Sequence, residues 1–216
     1  MVKRPVRRYS YETNGPAIYT ESFRIVREGA DLTAFTLDEA RVVVRMIHAA
    51  GDLDLPRHIV FHPDLVSAAR GALQGGAPIF VDANMINSGI TRRRLPADNE
   101  VRCLLRDQQA AVLADEWGTT RSAAAVSLWG DDLEGAVVAI GNAPTALFHL
   151  LELIADGGPR PAAIIGVPVG FVGSAESKQA LADSDVGVPW LVVHGHRGGS
   201  ALAASAINAL ASESEL

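Results

Sequence analysis

Short apolar runs alternate with stretches of helical periodicity along most of the chain. Six of these runs are rich in β-branched residues, which is typical of strands. Most are followed by a glycine, proline or polar turn and then by a helix-like stretch. This order predicts an α/β fold with a doubly wound, mainly parallel sheet of five or six strands and helices on both faces. The predicted strands are His58–His62, Pro78–Asp82, Val101–Leu105, Ala136–Ile140, Ala162–Gly166 and Pro189–His194.

Two amphipathic helices precede the first predicted strand. The first is expected to begin near Pro16, because proline suits the first turn of a helix. The second opens with a capping box, Thr36 followed three residues later by Glu39, and is expected to stop at Gly51. Apolar positions recur at helical spacing: Tyr19, Phe23 and Val26 in the first helix, and Ala40, Val43, Val44 and Ile47 in the second.

His48 lies in the last turn of the second predicted helix, at the edge of its apolar stripe. The carboxyl end of a helix favours the charged imidazolium, whereas partial burial opposes it, so this histidine can titrate near neutral pH. It could therefore donate or accept a proton in a reaction. The alternative is a structural histidine that bonds a terminal carbonyl, and position alone favours that alternative.

Length and composition predict one globular domain. The chain has 216 residues, and we expect a basic tail over residues 1–8 and a single domain over 9–216. Cys103 is the only cysteine, which excludes an intrachain disulfide and fits the cytoplasm. No apolar run is long enough to span a bilayer, and the basic tail has no apolar segment behind it. The net charge of −6 argues against a nucleic-acid partner.

Three glycine-rich loops, over residues 141–145, 166–174 and 194–200, follow predicted strands. In parallel sheets, ligands bind beyond the carboxyl ends of the strands. Glycine lets backbone N–H groups approach an anion, and a helix N-terminus adds further donors. These loops could together hold several carboxylates or phosphates, although each one is also explained as a tight turn. None matches a phosphate-loop or dinucleotide signature.

Basic side chains near these loops could clamp carboxylates. Arg94 ends a run of three arginines, Arg121 opens a predicted helix, and Lys178 follows the second loop. Surface salt bridges are the alternative for each.

No metal site is expected. His58 and His62 would stand about 13 Å apart on one face of a strand, too far to share a metal ion. His194 and His196 have no adjacent carboxylate. A Gly-x-Ser-x-Gly elbow, which would favour a hydrolase, is absent from the sequence.

Six segments in one order resemble the precorrin-8X methylmutases, also called precorrin isomerases. Together they cover about residues 9–210 and are specific to that family as a set. The segments are residues 15–23, 45–51, 98–101, 120–124, 141–148 and 166–178.

The resemblance implies an isomerase of cobalamin (corrin ring) biosynthesis with a flavodoxin-like, three-layer α/β/α fold. The family moves a methyl group from C-11 to C-12 of precorrin-8X to give hydrogenobyrinate, or of cobalt-precorrin-8 to give cobyrinate. It uses no organic cofactor, because the methyl group already sits on the tetrapyrrole. The family forms homodimers with sites at the subunit interface.

The resemblance also implies roles for individual residues. The family's general acid/base histidine is matched by His48, although the usual cysteine two residues later is Ala50 here. We hypothesise that His48 gives a proton or a strong hydrogen bond to a ring nitrogen. The expected substrate-binding residues are Ser22, Tyr19, Arg121, Arg94, Asn142, Thr145, Gly170 and Lys178.

Two other functions fit the same features. A non-catalytic corrinoid carrier would use the same loops and arginines, with His48 only bonding the ring. A nucleotide-dependent α/β enzyme would share the fold. Whether the substrate carries cobalt stays open at this point.

Overall fold

A computed structural model describes residues 2–214, so Met1 of the predicted tail and residues 215 and 216 of the predicted domain lie outside the described residues. Residues 2–14 are exposed and form no helix or strand. The helices that follow are α1 Gly15–Gly29, α2 Leu37–Ala50, α3 Leu65–Gln74, α4 Asn84–Gly89, α5 Gln108–Trp117, α6 Arg121–Ser127, α7 Pro144–Ala155, α8 Ser174–Asp183 and α9 Ser200–Leu210. The strands are β1 Ile59–Phe61, β2 Ile79–Val81, β3 Val101–Arg102, β4 Val137–Ile140, β5 Ala163–Gly166 and β6 Trp190–Val193. Within residues 2–214, none of the helices has the length and apolar character needed to cross a membrane.

The strands form one sheet in the order β1-β6-β5-β4-β2-β3. Strand β1 pairs antiparallel with β6, and all other neighbours are parallel. The five parallel strands have the flavodoxin-like order, in which the chain reverses its direction of progress once, here between β2 and β4. The prediction of a doubly wound, mainly parallel sheet with flanking helices is confirmed.

Strand β3 is shorter than the predicted strand Val101–Leu105. It pairs with β2 only over Val101 and Arg102. The chain then turns, because the backbone N–H of Asp107 donates to the carbonyl of Leu104 at 3.0 Å, and Asp107 caps α5. A strong helix start therefore ends the strand early.

Apolar side chains fill both faces of the sheet. On β4, Val137 and Ala139 pack into one cluster with residues of α1, α2, α3, α4 and α9. The alternate residues Val138 and Ile140 pack into a second cluster with residues of α6, α7 and α8. A strand that is buried on both faces has a continuous run of apolar residues, and such runs predicted these strands from the sequence.

Both N-terminal helices begin where the sequence predicts, and α2 also ends where it predicts. The side chain of Asn14 accepts the backbone N–H of Ala17 at the start of α1. Thr36 and Glu39 form both bonds of the capping box of α2. Gly51 closes α2 in the left-handed conformation, at φ 65°, which only glycine adopts without strain.

The crevice between β2 and β4 is filled by a carboxylate of the chain itself. Asp82, directly after β2, is buried and accepts the backbone N–H groups of Gly141, Asn142 and Ala143 at 3.0, 3.0 and 2.6 Å. Burial raises the pKa of Asp82, and these three N–H donors oppose that rise. The expectation that these N–H groups receive a ligand anion is therefore wrong for this loop. The loop does present its N–H groups to a carboxyl group, but that group is the side chain of Asp82.

Replacing Asp82 by asparagine should lower the free energy of unfolding by about 1–3 kcal/mol. The asparagine amide has only one acceptor oxygen. Its NH2 group would face backbone N–H groups, which are also donors and cannot bond it. Chemical denaturation measures the change.

Asp107→Asn is the matched control. Asp107 is exposed and accepts one backbone N–H, from Gln109 at 2.8 Å, at a position where asparagine caps equally well. Equal losses for the two variants would show that the Asp82 contacts add nothing special to stability.

Candidate active site

His48 and Ser22 join the first two helices by a hydrogen bond. His48 Nδ1 lies 2.8 Å from Ser22 Oγ, and both side chains are partly buried. His48 sits in the last turn of α2, and Ser22 lies in the middle of α1. Nε2 of His48 makes no hydrogen bond to the described residues, so it is the nitrogen left for a ligand.

Aromatic rings hold His48 in place. The ring centres of Tyr19 and Phe23 lie 5.0 and 5.1 Å from that of His48, and 4.9 Å from each other. Tyr19 and Ser22, three residues apart on α1, therefore both reach His48, as expected from helical spacing. Tyr19, Ser22 and His48 form one group in the structure.

Arg45 is the member of this group that sequence reasoning missed. It is buried, its Nη1 donates to the hydroxyl of Tyr19 at 3.0 Å, and its guanidinium lies 5.4 Å from the ring centre of Phe23. The available signal was position: Arg45 precedes His48 by three residues and so lies on the same side of α2.

The surroundings of His48 favour its neutral form. Burial lowers the pKa of His48 below its ordinary value of 6.5, and the positive charge of Arg45 lowers it further. The hydroxyl of Ser22 can donate to Nδ1 of the neutral ring, which then carries its hydrogen on Nε2. It can also accept from Nδ1–H of the imidazolium. Ser22 therefore supports both protonation states.

An open cleft of about 810 Å³ lies between α1, α2 and the turn after α2. His48 and Ser22 line it, together with the apolar side chains of Ile18, Ile25, Ile47 and Leu53. Glu12 and Glu21 are its acidic residues. An apolar cleft with a few polar groups suits a large, mostly apolar ligand.

A second group of predicted residues lies at the carboxyl edge of the sheet. Thr145, at the start of α7, shares a 2.7 Å hydrogen bond with Thr120, which caps α6. Arg121 follows that cap, is exposed, and makes no hydrogen bond or salt bridge within residues 2–214. Asn142 is exposed in the adjacent loop, where its backbone N–H bonds Asp82.

Lys178 lies beneath the other two glycine-rich loops. It is fully buried, and its Nζ donates to the carbonyls of Pro168 at 3.0 Å and Arg197 at 2.6 Å, one from each loop. Burial lowers the pKa of Lys178 to about 8. Gly170, in the first of these loops, donates its N–H to the carbonyl of His196 at 3.3 Å. The two loops are thus joined to each other.

Arg94 belongs to neither loop. Its Nε donates to the carbonyl of Asn208 at 3.0 Å, and its Nη2 donates to the carbonyl of Ser214. It also faces Tyr19 and Arg45 across a smaller cleft. Burial and the charge of Arg45 lower the pKa of Arg94.

His196 and His62 have local partners. His196 contacts the carbonyl of Gly170 through Nδ1 at 3.0 Å, and its ring lies 5.4 Å from that of Phe171. His62 lies 3.9 Å from Asp64. In the described part of the chain, no group of three or more His, Cys, Asp or Glu side chains is placed to hold a metal ion.

The fold and the site define a doubly wound α/β protein with a serine-bonded histidine in an open cleft. Residues 17–213 match the precorrin-8X methylmutase family. The precorrin-8X methylmutase of Sinorhizobium sp is 58% identical, over 94% of this chain and 97% of the relative, and that of Pseudomonas aeruginosa is 51% identical, over 95% and 99%. A crystal structure of the Thermus thermophilus precorrin-8x methyl mutase has 42% identity and a TM-score of 0.82, over 90% of this chain and 96% of that one. The chain belongs to the precorrin-8X methylmutase family, which confirms the resemblance.

His48 should titrate below pH 6.5 in the folded protein, and Arg45→Gln should raise its pKa because a nearby positive charge is removed. Proton NMR of the imidazole C2–H measures both values, with His48→Gln assigning the resonance. Arg41→Gln removes the same charge one turn earlier on α2, where Arg41 pairs with Asp38. An equal rise in both variants would contradict the specific role of Arg45.

Proposed function

We propose that this chain is an isomerase of cobalamin biosynthesis that moves the C-11 methyl group of precorrin-8X to C-12, giving hydrogenobyrinate. One carbon–carbon bond breaks and another forms, while the electron pair shifts within the conjugated ring. The atoms of substrate and product are the same, so no methyl donor, S-adenosylmethionine or organic cofactor is needed. Family membership over almost the whole chain supports this reaction.

The observation that carries the mechanism is the Ser22–His48 hydrogen bond at the cleft wall. In the imidazolium form, Ser22 accepts the hydrogen of Nδ1, and Nε2–H of His48, which has no hydrogen-bond partner among the described residues, passes its proton to a ring nitrogen and leaves the neutral imidazole. Positive character on that nitrogen makes the conjugated system a better acceptor for the migrating electron pair. The same proton returns to His48 when the product forms.

The acidic side chains of the substrate would be bound by cationic side chains and by polar groups at the carboxyl edge of the sheet. We assign a direct contact to Arg121, whose exposed guanidinium has no partner in residues 2–214. Asn142, Thr145 and Gly170 line the same edge of the sheet. Tyr19 and Ser22 lie against the ring beside His48, and Arg94 binds a carboxylate in the smaller cleft.

Lys178 would act through the loops rather than by touching substrate. Its ammonium group is fully buried and holds the carbonyls of Pro168 and Arg197. A cation fixed behind both loops sets their spacing and adds positive potential to the edge that meets the substrate. We therefore assign Lys178 a positioning role.

We further propose a homodimer with its sites at the interface. The loop before α8 exposes Phe171 at 86% and Val172 at 89%, which favours coverage by another chain. No hydrogen bond or ring contact joins Arg121 to His48 in the described chain. In a dimer, the group around His48 in one chain would face the group around Arg121 in the other chain.

The cobalt-free substrate is the one we favour. The relatives at 58% and 51% identity are named for precorrin-8X, whereas those of Priestia megaterium and Salmonella typhimurium, at 35% and 38%, are named for cobalt-precorrin-8. If the cobalt form is used, the product is cobyrinate. We place the reaction in the cytoplasm, which the single free thiol of Cys103 supports.

His48→Ala should bind precorrin-8X but turn it over about 10²-fold more slowly or worse, because the proton donor is lost. Stopped-flow visible spectroscopy follows the chromophore, and equilibrium titration gives the affinity. His62→Ala, which changes a histidine outside the cleft, is the control and should keep normal turnover.

Two outcomes would contradict the proposal. Near-normal turnover by purified His48→Ala would remove the assigned role of that residue. Recovery of an unchanged chromophore from the wild-type protein would indicate a corrinoid carrier instead of an isomerase.

A further inference from the structure

Arg121, which we assign to the substrate, stands at the start of a helix that reaches the core through small side chains. The helix α6 is seven residues long, and its buried side chains are those of three alanines and Val126. Of these, Val126 belongs to the apolar cluster on that face of the sheet. Alanine side chains form shallow ridges, so packing alone does little to stop the helix from sliding or rotating. The position of Arg121 therefore depends on further contacts.

The neighbouring helix α7 is fixed more firmly. It follows the loop whose backbone N–H groups bond Asp82. Its side chains at positions 146, 147, 150, 151 and 154 are buried in the same apolar cluster as Val126. Because α6 packs against α7, this helix is the support on which α6 is placed.

The side chain of His149, in the second turn of α7, contacts both ends of the segment that carries Arg121. Oγ of Ser127, the last residue of α6, lies 2.7 Å from Nε2 of His149. The ring of Trp117, the last residue of α5, stacks on the imidazole, with ring centres 6.1 Å apart and planes inclined by 16°. Trp117 precedes Arg121 by four residues, and Ser127 follows it by six. One histidine thus holds the chain on either side of Arg121.

A third contact lies between these two ends. Thr120, which caps α6, shares its 2.7 Å hydrogen bond with Thr145. Thr145 and His149 stand four residues apart on α7, so they lie on the same side of that helix. Among the described residues, three side-chain contacts therefore attach residues 117–127 to one side of α7.

The Ser127–His149 pair has a different task from the Ser22–His48 pair. Neither Ser127 nor His149 lines the cleft that contains His48. The hydroxyl of Ser127 donates to Nε2 when that nitrogen carries no hydrogen and accepts from it when it does, so the bond forms in either state of the ring. Such a pair is suited to holding two helices together.

We infer that His149 is a positioning residue of the enzyme: through Ser127 and Trp117 it fixes residues 117–127 on α7 and so holds Arg121 where the substrate binds. The contact of Arg121 with substrate rests on the proposed function, whereas the attachment of the segment follows from the distances. His149 acts on binding and not on the migrating methyl group. Its loss should therefore raise KM and leave kcat nearly unchanged.

His149→Ala removes the hydrogen bond and the stacked ring together. It should raise KM for precorrin-8X about tenfold, with kcat within about twofold of the wild type. His149→Phe keeps a ring against Trp117, and His149→Gln keeps a hydrogen-bonding side chain beside Ser127. Each of these should have a KM between those of the wild type and His149→Ala, and both keep the test available if the alanine variant does not fold.

His62→Ala is the matched control. The ring of His62 also contacts a tryptophan, Trp190, but it lies outside residues 117–127. This variant should keep the KM of the wild type.

The Arg121→Gln background shows whether the effect passes through Arg121. If it does, His149→Ala should change the KM of Arg121→Gln by less than about twofold. A normal KM for folded His149→Ala, a fall in kcat in place of a rise in KM, or effects that multiply in the double variant would overturn the inference.

Amide hydrogen exchange, followed by mass spectrometry in the absence of substrate, tests the attachment by itself. Residues 118–127 should exchange at least about threefold faster in His149→Ala than in the wild type, whereas peptides from α9 should not change. Unchanged exchange in residues 118–127 would also overturn the inference. Faster exchange there, in a protein whose wild type never isomerises precorrin-8X, would instead contradict the proposed function and leave the attachment through His149 in place.

Discussion

Burial of α2 fixes the position of the candidate active site. Five residues of this helix, Val42, Val43, Val44, Met46 and Ile47, are at most 1% exposed, so the helix cannot rotate without opening the core. Its ends are fixed as well, by the capping box at Thr36 and by Gly51. His48 must then lie at the boundary that faces α1. The serine and the aromatic rings of α1 complete the site because α1 packs on that boundary.

Electrostatics gives this site its chemical character. His48 is flanked by a buried arginine and bonded to a neutral hydroxyl, not to a carboxylate as in a hydrolase triad. That environment lowers the pKa of His48 and so favours the neutral imidazole. The carboxyl edge of the sheet is organised by internal charges, Asp82 and Lys178, each bonded to backbone groups of the loops. These two buried side chains hold the backbone of the glycine-rich loops in place.

Periodicity and capping were sufficient to predict the sheet, the two N-terminal helices and the location of His48. Those features depend on local sequence, since alternating burial and helix caps act over a few residues. The motif resemblance then gave His48 a chemical role that its position alone did not favour. The grouping of Tyr19, Ser22 and His48 followed from helical spacing once α1 and α2 were adjacent.

Long-range contacts account for what the sequence could not predict. Asp82 and Gly141 are 59 residues apart, so nothing local shows that a carboxylate of the chain fills the first glycine-rich loop. Lys178 follows a loop that suggested a surface cation, yet the fold buries it completely. Arg45 resembles an ordinary helix residue until α1 covers it. In each case, tertiary packing places the side chain next to a partner that is distant in the sequence.

The central claim is that Ser22 acts through His48, and a double-mutant cycle on single-turnover methyl migration tests it most directly. Rates would be compared for the wild type, Ser22→Ala, His48→Ala and the double variant. Ser22→Ala alone should slow migration about tenfold. The rate of the double variant should equal that of His48→Ala within about twofold, because Ser22 has no imidazole to orient once His48 is replaced. Losses that multiply in the double variant would contradict the account and make Ser22 an independent contributor.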